Sequence, residues 1–298
     1  MKFSTKRIIS LTLALTLSLA AAGCGSTPAS SGSAPASTPA PASEAATSAA
    51  PAPSTEAPLK LVVGASPAPH AEILESVKEQ LLKEGIALEI QEFTDYVLPN
   101  NALSDKLLDA NYFQHQPYLT DFNAKNKTDL VSAAAIHFEP LGIYPGKTAT
   151  LAEIKDGATI AVPNDTTNEA RALNLLAAQG WFTLKAGAGL AATPKDIEQN
   201  PKKLKFVELA AEQIPNAIGE VDFAVINGNY ALPAGLVDKV LVVEDPKSAA
   251  AQEFANILAI RPDSKDDPRI AALVKALTSE ETRKFIDGKY GVTVVPVF

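Results

Sequence analysis

Between Gly25 and Pro58 the chain contains no leucine, valine, isoleucine or aromatic residue. Its 34 residues are 11 Ala, 8 Ser, 7 Pro, 4 Thr, 2 Gly and 2 Glu. Such a segment cannot bury enough apolar surface to offset the entropy of ordering it. Residues 24–58 are therefore predicted to be a disordered linker, with an end-to-end reach of roughly 30 Å. Any fold is confined to Leu59–Phe298, long enough for one large α/β domain or for two lobes.

The residues ahead of the linker have a different character. Lys2, Lys6 and Arg7 precede an uncharged apolar stretch that begins at Ile8 and ends in Ala21-Ala22-Gly23-Cys24. The apolar run is roughly 15 residues, short of the roughly 20 that cross a bilayer comfortably. Residues 1–23 read as a secretory signal peptide. Cys24 is the only cysteine, which excludes an intramolecular disulfide and any multi-Cys zinc site. The stretch resembles a bacterial lipobox, although alanine occupies position 21 where leucine is usual. Cys24 is predicted to be lipidated, and several acyl chains, palmitate among them, hold a protein to a membrane face far better than one.

Past the linker, 23 basic residues face 32 acidic ones, which argues against a general nucleic-acid partner. Short apolar runs alternate with amphipathic stretches. Strands are predicted at 59–66, 87–93, 111–114, 131–136, 142–144, 159–162, 205–208, 223–226, 240–243 and 256–260. Helices are predicted at 70–84, 101–108, 267–277 and 279–289. This alternation predicts an α/β fold with mostly parallel sheets, whose ligands sit at the carboxyl ends of strands.

The motifs of catalysis are missing. There is no Gly-x-Ser-x-Gly elbow, no His-Glu-x-x-His helix and no phosphate loop. Gly187-Ala-Gly189-Leu-Ala-Ala192 follows a helix rather than a strand and reads as a loop. A secreted α/β hydrolase is thus the weaker reading, and an enzyme is not expected. Three histidines without ligand spacing leave little for a metal centre, although His115 and His137 with a carboxylate could form one.

Binding chemistry has better candidates. Arg171 is the only arginine of the body before Arg261. Thr166-x-x-Glu169 is a capping-box pattern, which places the helix start near Thr167 and Arg171 in its second turn. A cation gains nothing at that end of a helix dipole. A carboxylate ligand would explain it, because a guanidinium offers a planar two-donor fork; spacing alone leaves pairing with Glu169 equally open. Tyr96, Phe113, His115, Tyr118 and His137 could line a pocket that is apolar in body and polar at its edges, or could form a core cluster. Asn227 and Asn229 end a strand where side-chain amides can both donate and accept, or simply make a turn.

Three segments together resemble the NlpA lipoprotein family, the methionine-binding lipoproteins of bacterial ABC importers. They are Asp95-Tyr-Val-x-Pro-Asn-x-Ala-Leu, Leu108-Asp-Ala-Asn-Tyr-Phe-Gln-His-x-Pro-Tyr-Leu and Ile226-Asn-Gly-Asn-Tyr-Ala. Pro163-Asn-Asp-Thr-Thr-Asn-Glu-Ala-Arg-Ala-Leu and the terminal Val294-Val-Pro-Val-Phe fit as well, with Thr166 where proline is common. The likeness implies a two-lobed periplasmic-binding-protein-like fold with ligand in the interlobe cleft. Lobe 1 would comprise residues 59–141 and 233–298 and lobe 2 residues 142–232, with crossings near Leu141–Lys147 and Tyr230–Leu236. It further implies that Arg171 holds the amino-acid carboxylate, with Asn168 beside it. Asn227, Asn229 and Tyr96 would lie at the polar end, and Phe113, His115, Tyr118 and His137 around the thioether. The implied function is capture of methionine, L-methionine foremost, on the extracytoplasmic face of the cell membrane and delivery to a permease and its ATPase. No cofactor is implied. D-methionine, a methionine dipeptide and a metal ion are the alternative ligands.

Overall fold

Strand β1 (Leu59–Ala65) shows how both faces of a central strand come to be covered. Leu61, Val63 and Ala65 are fully buried against one set of helices, while Val62 packs on the opposite side with Leu103, Leu108 and Leu119. A period of two, apolar on both faces, is the pattern of a strand with helices above and below it. The computed structural model describes residues 57–247 and 252–298. The predicted signal peptide, Cys24 and the linker lie outside the described residues, apart from the linker's last two positions.

The chain continues through α1 (Glu72–Lys83), β2 (Ile86–Glu92), α2 (Leu98–Ser104), β3 (Ala110–His115), α3 (Gln116–Asn126) and β4 (Val131–Phe138). Then follow β5 (Gly142–Pro145), β6 (Thr159–Pro163), α4 (Thr166–Ala177), β7 (Thr183–Leu184), β8 (Ile197–Gln199) and β9 (Lys205–Leu209). Next come α5 (Ile214–Ala217), β10 (Phe223–Ile226), α6 (Gly228–Ala231) and β11 (Val242–Val243). The last elements are β12 (Asn256–Ile260), α7 (Pro268–Leu277), α8 (Glu280–Tyr290) and β13 (Val295–Pro296). Helix α2 begins three residues before its predicted start. Pro99 suits a first turn, and the Asp95 carboxylate accepts from the backbone amides of Val97 and Leu98 at 2.7 and 2.8 Å.

Two larger sheets carry the fold. The first has the order β13-β4-β12-β3-β1-β2, the second β11-β5-β10-β6-β9. In the second, Phe223 and Val225 of β10 face one core while Ala224 and Ile226 face another. Parallel pairing links β1 to β2 and β3, and β6 to β9 and β10. The remaining neighbours are antiparallel, among them β12 with β3 and β4, and β5 with β10 and β11. Each sheet is therefore mixed rather than mostly parallel. The parallel neighbours β1 and β2 are joined by a crossover through α1, as parallel pairing requires.

The chain leaves the first sheet after Phe138 and enters the second at Gly142. The return crossing lies later than Tyr230–Leu236. Val242 and Val243 still pair with Ile143 and Gly142 of the second sheet, and the chain rejoins the first sheet only at Asn256. The two connections hold each other: Glu244 N donates to Leu141 O at 3.0 Å, and Leu141 N donates to the Glu244 carboxylate at 2.8 Å. Residues 233–243 thus belong with the second sheet, and Glu244 stands at the seam.

Candidate functional site

The site forms where the carboxyl ends of β3 and β4 meet the N-termini of α4 and α6. The helix α4 is capped by Asp165, one residue earlier than the capping-box pattern suggests. The Asp165 side chain accepts from the Asn168 backbone amide at 3.0 Å and from the Asn168 side chain at 2.9 and 3.0 Å. That double grip leaves Asn168 Oδ1 facing outward. It accepts from Asn227 Nδ2 at 3.0 Å and from His115 Nε2 at 3.2 Å. His115 caps α3 through Nδ1, which accepts from the Tyr118 amide at 3.2 Å. The ring is therefore neutral, with its proton on Nε2.

Arg171 is 5% exposed and points into the seam. Its partner is Glu244, far along the chain, and not Glu169. Nε donates to Glu244 Oε1 at 2.7 Å, Nη2 donates to Oε2, and Nη2 also donates to the Glu139 carbonyl at 2.8 Å. The guanidinium lies 4.5 Å from the Phe254 ring centroid and 5.4 Å from that of Phe138. Nη1 makes no hydrogen bond among the described residues. The guanidinium is anchored through Nε and Nη2.

Arg171, Asn168, Asn227, Asn229, Tyr96, Phe113, His115 and Tyr118 all line one narrow cavity. Gln114, Glu139, Gly228 and Asn256 complete it. The Tyr96 ring stacks near Phe113, Tyr118 and Tyr230 at centroid separations of 5.9, 5.8 and 5.1 Å, making the apolar wall. The Tyr96 hydroxyl donates to Asn229 Oδ1 at 2.6 Å, so first-sheet and second-sheet residues close over the cavity. Two buried polar atoms here have no partner among the described residues: Asn227 Oδ1, an acceptor, and Asn229 Nδ2, a donor. Buried orphans are uncommon. A donor and an acceptor in one small cavity suit a ligand that carries both kinds of group.

His137 does not line the cavity. It is fully buried one layer behind, where Nδ1 accepts from the Tyr112 hydroxyl and Nε2 donates to Glu139 Oε1 at 2.8 Å. Strand alternation explains the difference, since a one-position offset at the end of β4 turns a side chain to the other face. Glu139 was not singled out in the sequence, because one acid among 32 has no distinguishing spacing. Glu244 was missed for the same reason. Behind Gln114, the side chains of Asn100 and Asn111 are fully buried and hydrogen-bond to it at 2.6–3.0 Å, which fixes its rotamer.

The electrostatics follow from burial. His115 is pushed down to about 3, first by desolvation and then by the Arg171 cation. Its folded value lies below its unfolded one, so the unfolded chain takes up the proton first on acidification. The stability it supports is complete above about pH 6.5 and is lost as pH falls toward the folded value. Burial raises the Asp165 and Glu139 carboxyls, and these act in the opposite sense, so the histidine must be isolated by comparison. Between pH 6.5 and 4, His115→Gln is expected to lose stability less steeply than the wild type, by up to about 1.4 kcal/mol per pH unit. Urea unfolding across that range measures it, and parallel curves would contradict the buried neutral ring.

A cleft between two mixed α/β sheets, closed over a cavity holding an anchored arginine, defines a solute-binding protein of the periplasmic type. Comparison with known proteins agrees. The NlpA lipoprotein family matches residues 61–298, and the chain belongs to that family. The methionine-binding lipoprotein MetQ of Bacillus subtilis is 40% identical over 243 residues, covering 80% of this chain and 88% of that protein. Among solved structures, a nutrient-binding protein from Burkholderia cenocepacia bound to methionine is 43% identical with a TM-score of 0.76, covering 80% of this chain and all of that one. An ABC-transporter periplasmic substrate-binding protein from Coxiella burnetii is 41% identical with a TM-score of 0.74 over the same shares.

Proposed function

We propose that the protein is an extracytoplasmic receptor that captures methionine and delivers it to an ABC importer. The observation that carries this is the cavity itself, which brings Arg171, an orphan acceptor on Asn227 and an orphan donor on Asn229 together with the rings of Tyr96, Phe113 and Tyr118. The polar groups suit an α-amino acid and the rings suit a thioether, since sulfur against ring edges gains about 0.3–1.5 kcal/mol per contact. Names of relatives support the ligand class and the transporter class.

Binding without covalent chemistry is enough for this role. Arg171 would hold the carboxylate through Nη1, and Asn168 would steady the second-sheet rim. The ligand would bridge residues from both sheets and favour the closed form, which the permease and its ATPase would recognise. Acylated Cys24 would keep the receptor at the outer face of the membrane. Calorimetric titration with L-methionine, D-methionine, a methionine dipeptide and leucine tests the reading. Saturable 1:1 binding of a methionine ligand, tightest for L-methionine and at least tenfold tighter than leucine, is expected. Equal or absent binding of all four would reject it.

A further inference from the structure

A second pocket, of about 270 Å³, lies behind the ligand cavity. One layer of backbone separates the two. Glu139 lines the ligand cavity, whereas the next residue of the outgoing crossing, Pro140, lines the second pocket, and Gly228 at the start of α6 lines both. The walls of this pocket come from different sheets. Tyr144 of β5, Val240 and Val243 of β11 form the second-sheet wall, and Val292 and Val294, just ahead of β13, form the first-sheet wall.

Both walls are firmly held. A Cβ added at Gly142 would lie 2.8 Å from Val240 Cγ2 and equally close to the Tyr144 ring, so glycine lets that wall pack down on β5. On the other side Val294 is buried in the first core, and the Thr293 hydroxyl donates to the Tyr290 carbonyl at 2.7 Å. Beside these anchors Val292 is left 80% exposed, more than any other large apolar side chain among the described residues. Val243 on the opposite wall is exposed as well. Apolar surface on two rigid walls stays in contact with water for as long as the pocket stands open, which is unfavourable.

The ligand cavity, in contrast, is shut. Across its mouth Tyr96 donates to Asn229, the Tyr230 hydroxyl donates to the Thr94 carbonyl at 3.0 Å, and Lys125 Nζ donates to Thr166 Oγ1 at 2.5 Å. A solute enters only when the two sheets part there. The outgoing crossing runs between cavity and pocket, so a rotation about it that widens one narrows the other.

We propose that the second pocket is the counter-surface of the cleft: when the cleft opens, Val292 closes onto Val240 and Val243, and the apolar surface buried there stabilises the ligand-free form. The inference rests on the methionine-receptor reading above and adds a residue that sets affinity without touching the ligand. Apparent affinity falls in proportion to the fraction of molecules in the binding-competent form. Val292 therefore weakens methionine binding, and its removal strengthens it. A gain of affinity is not what damage to the fold produces.

The test is calorimetric titration of L-methionine into the wild type, Val292→Ala and Val292→Asp, with thermal unfolding to check each variant. Val292→Ala is expected to bind about fivefold more tightly, the shift that partial burial of two methyl groups gives. Val292→Asp is expected to bind at least about tenfold more tightly, because a carboxylate resists burial in an apolar pocket. Val207→Ala, which trims an exposed valine of β9 outside the pocket, should bind as the wild type does. Small-angle scattering adds a reading without ligand: Val292→Asp should be more compact than the wild type and should contract less when methionine is added. Unchanged or weaker affinity in either Val292 variant would overturn the proposal, as would an equal gain in Val207→Ala. Identical ligand-free dimensions for the wild type and Val292→Asp would overturn it too. Failure of the wild type to bind methionine would instead reject the amino-acid reading, and the ligand-free scattering comparison would still decide the role of the pocket.

Discussion

Alanine in place of Arg171 is expected to weaken methionine binding by about 30-fold or more, the result of removing one partner from a buried, hydrogen-bonded charge pair at roughly 2–5 kcal/mol. Two losses combine. The ligand carboxylate would lose the cationic donor proposed for it, and Glu244, 12% exposed by its side chain, loses the guanidinium that satisfies both of its oxygens. Lysine should recover little of the affinity. A single ammonium cannot offer two donors to Glu244, one to the Glu139 carbonyl and another to a ligand in the fixed plane that Arg171 provides. Because Glu244 also bonds the Leu141 amide across the two crossings, the variant should be checked by thermal unfolding before titration. A folded Arg171→Ala protein that binds methionine within threefold of the wild type would remove Arg171 from the site.

Phe223→Ala is expected to cost about 3–5 kcal/mol of folding stability, the range for truncating a fully buried aromatic. Phe223 is 0% exposed at the centre of the second sheet, paired with Pro145 on one side and Ile160 on the other. Its ring lies 5.2 Å from that of Trp181. Alanine would open a cavity among Ile143, Ile160, Val162, Leu173 and Leu176, all fully buried, and a sheet pinned by its pairing register can close over it only in part. Trp181 is the only tryptophan, so its emission during urea unfolding reports on this neighbourhood directly. A midpoint shift equivalent to less than about 1 kcal/mol would mean that the second core collapses far more readily than its packing implies.

The parts of the fold governed by local rules were the readable ones. The alternation in 87–93 and the short apolar runs at Leu59, Val131, Phe223 and Asn256 announce strands because each is a local signal. The cavity residues from Tyr96 to Tyr118, with Arg171, Asn227 and Asn229, were legible through motif resemblance and through residue types that are odd for their local setting, an arginine in the second turn of a helix above all. What stayed hidden depends on long-range register. Nothing within ten residues of Glu244 reveals that it takes both donors of Arg171, 73 positions earlier. Strand direction was misjudged for the same reason: β12 runs antiparallel to both of its neighbours because the chain re-enters the sheet from the second one. The family resemblance implies His137 around the thioether, and only the pleat at the end of β4 turns it toward Tyr112 and Glu139 instead.

The role of Asp165 shows how small such misreadings can be while still mattering. Thr166-x-x-Glu169 has the capping spacing, yet the carboxylate one position earlier wins, because it accepts from both the backbone and the side chain of Asn168. That choice sets the direction of Asn168 Oδ1, which then ties His115 of the first sheet to Asn227 of the second. A one-residue shift in a helix cap thus decides which atoms close the cleft.

The measurement that reaches the central claim most directly is the methionine titration repeated with methioninamide, in which the carboxylate is replaced by a neutral carboxamide and everything else is kept. With Arg171 Nη1 reading the carboxylate, the amide should bind at least about 30-fold more weakly to the wild type, and Arg171→Ala should no longer tell the two ligands apart. Equal affinity of the wild-type protein for methionine and its amide would show that the guanidinium serves Glu244 alone, and would contradict the proposed mode of binding.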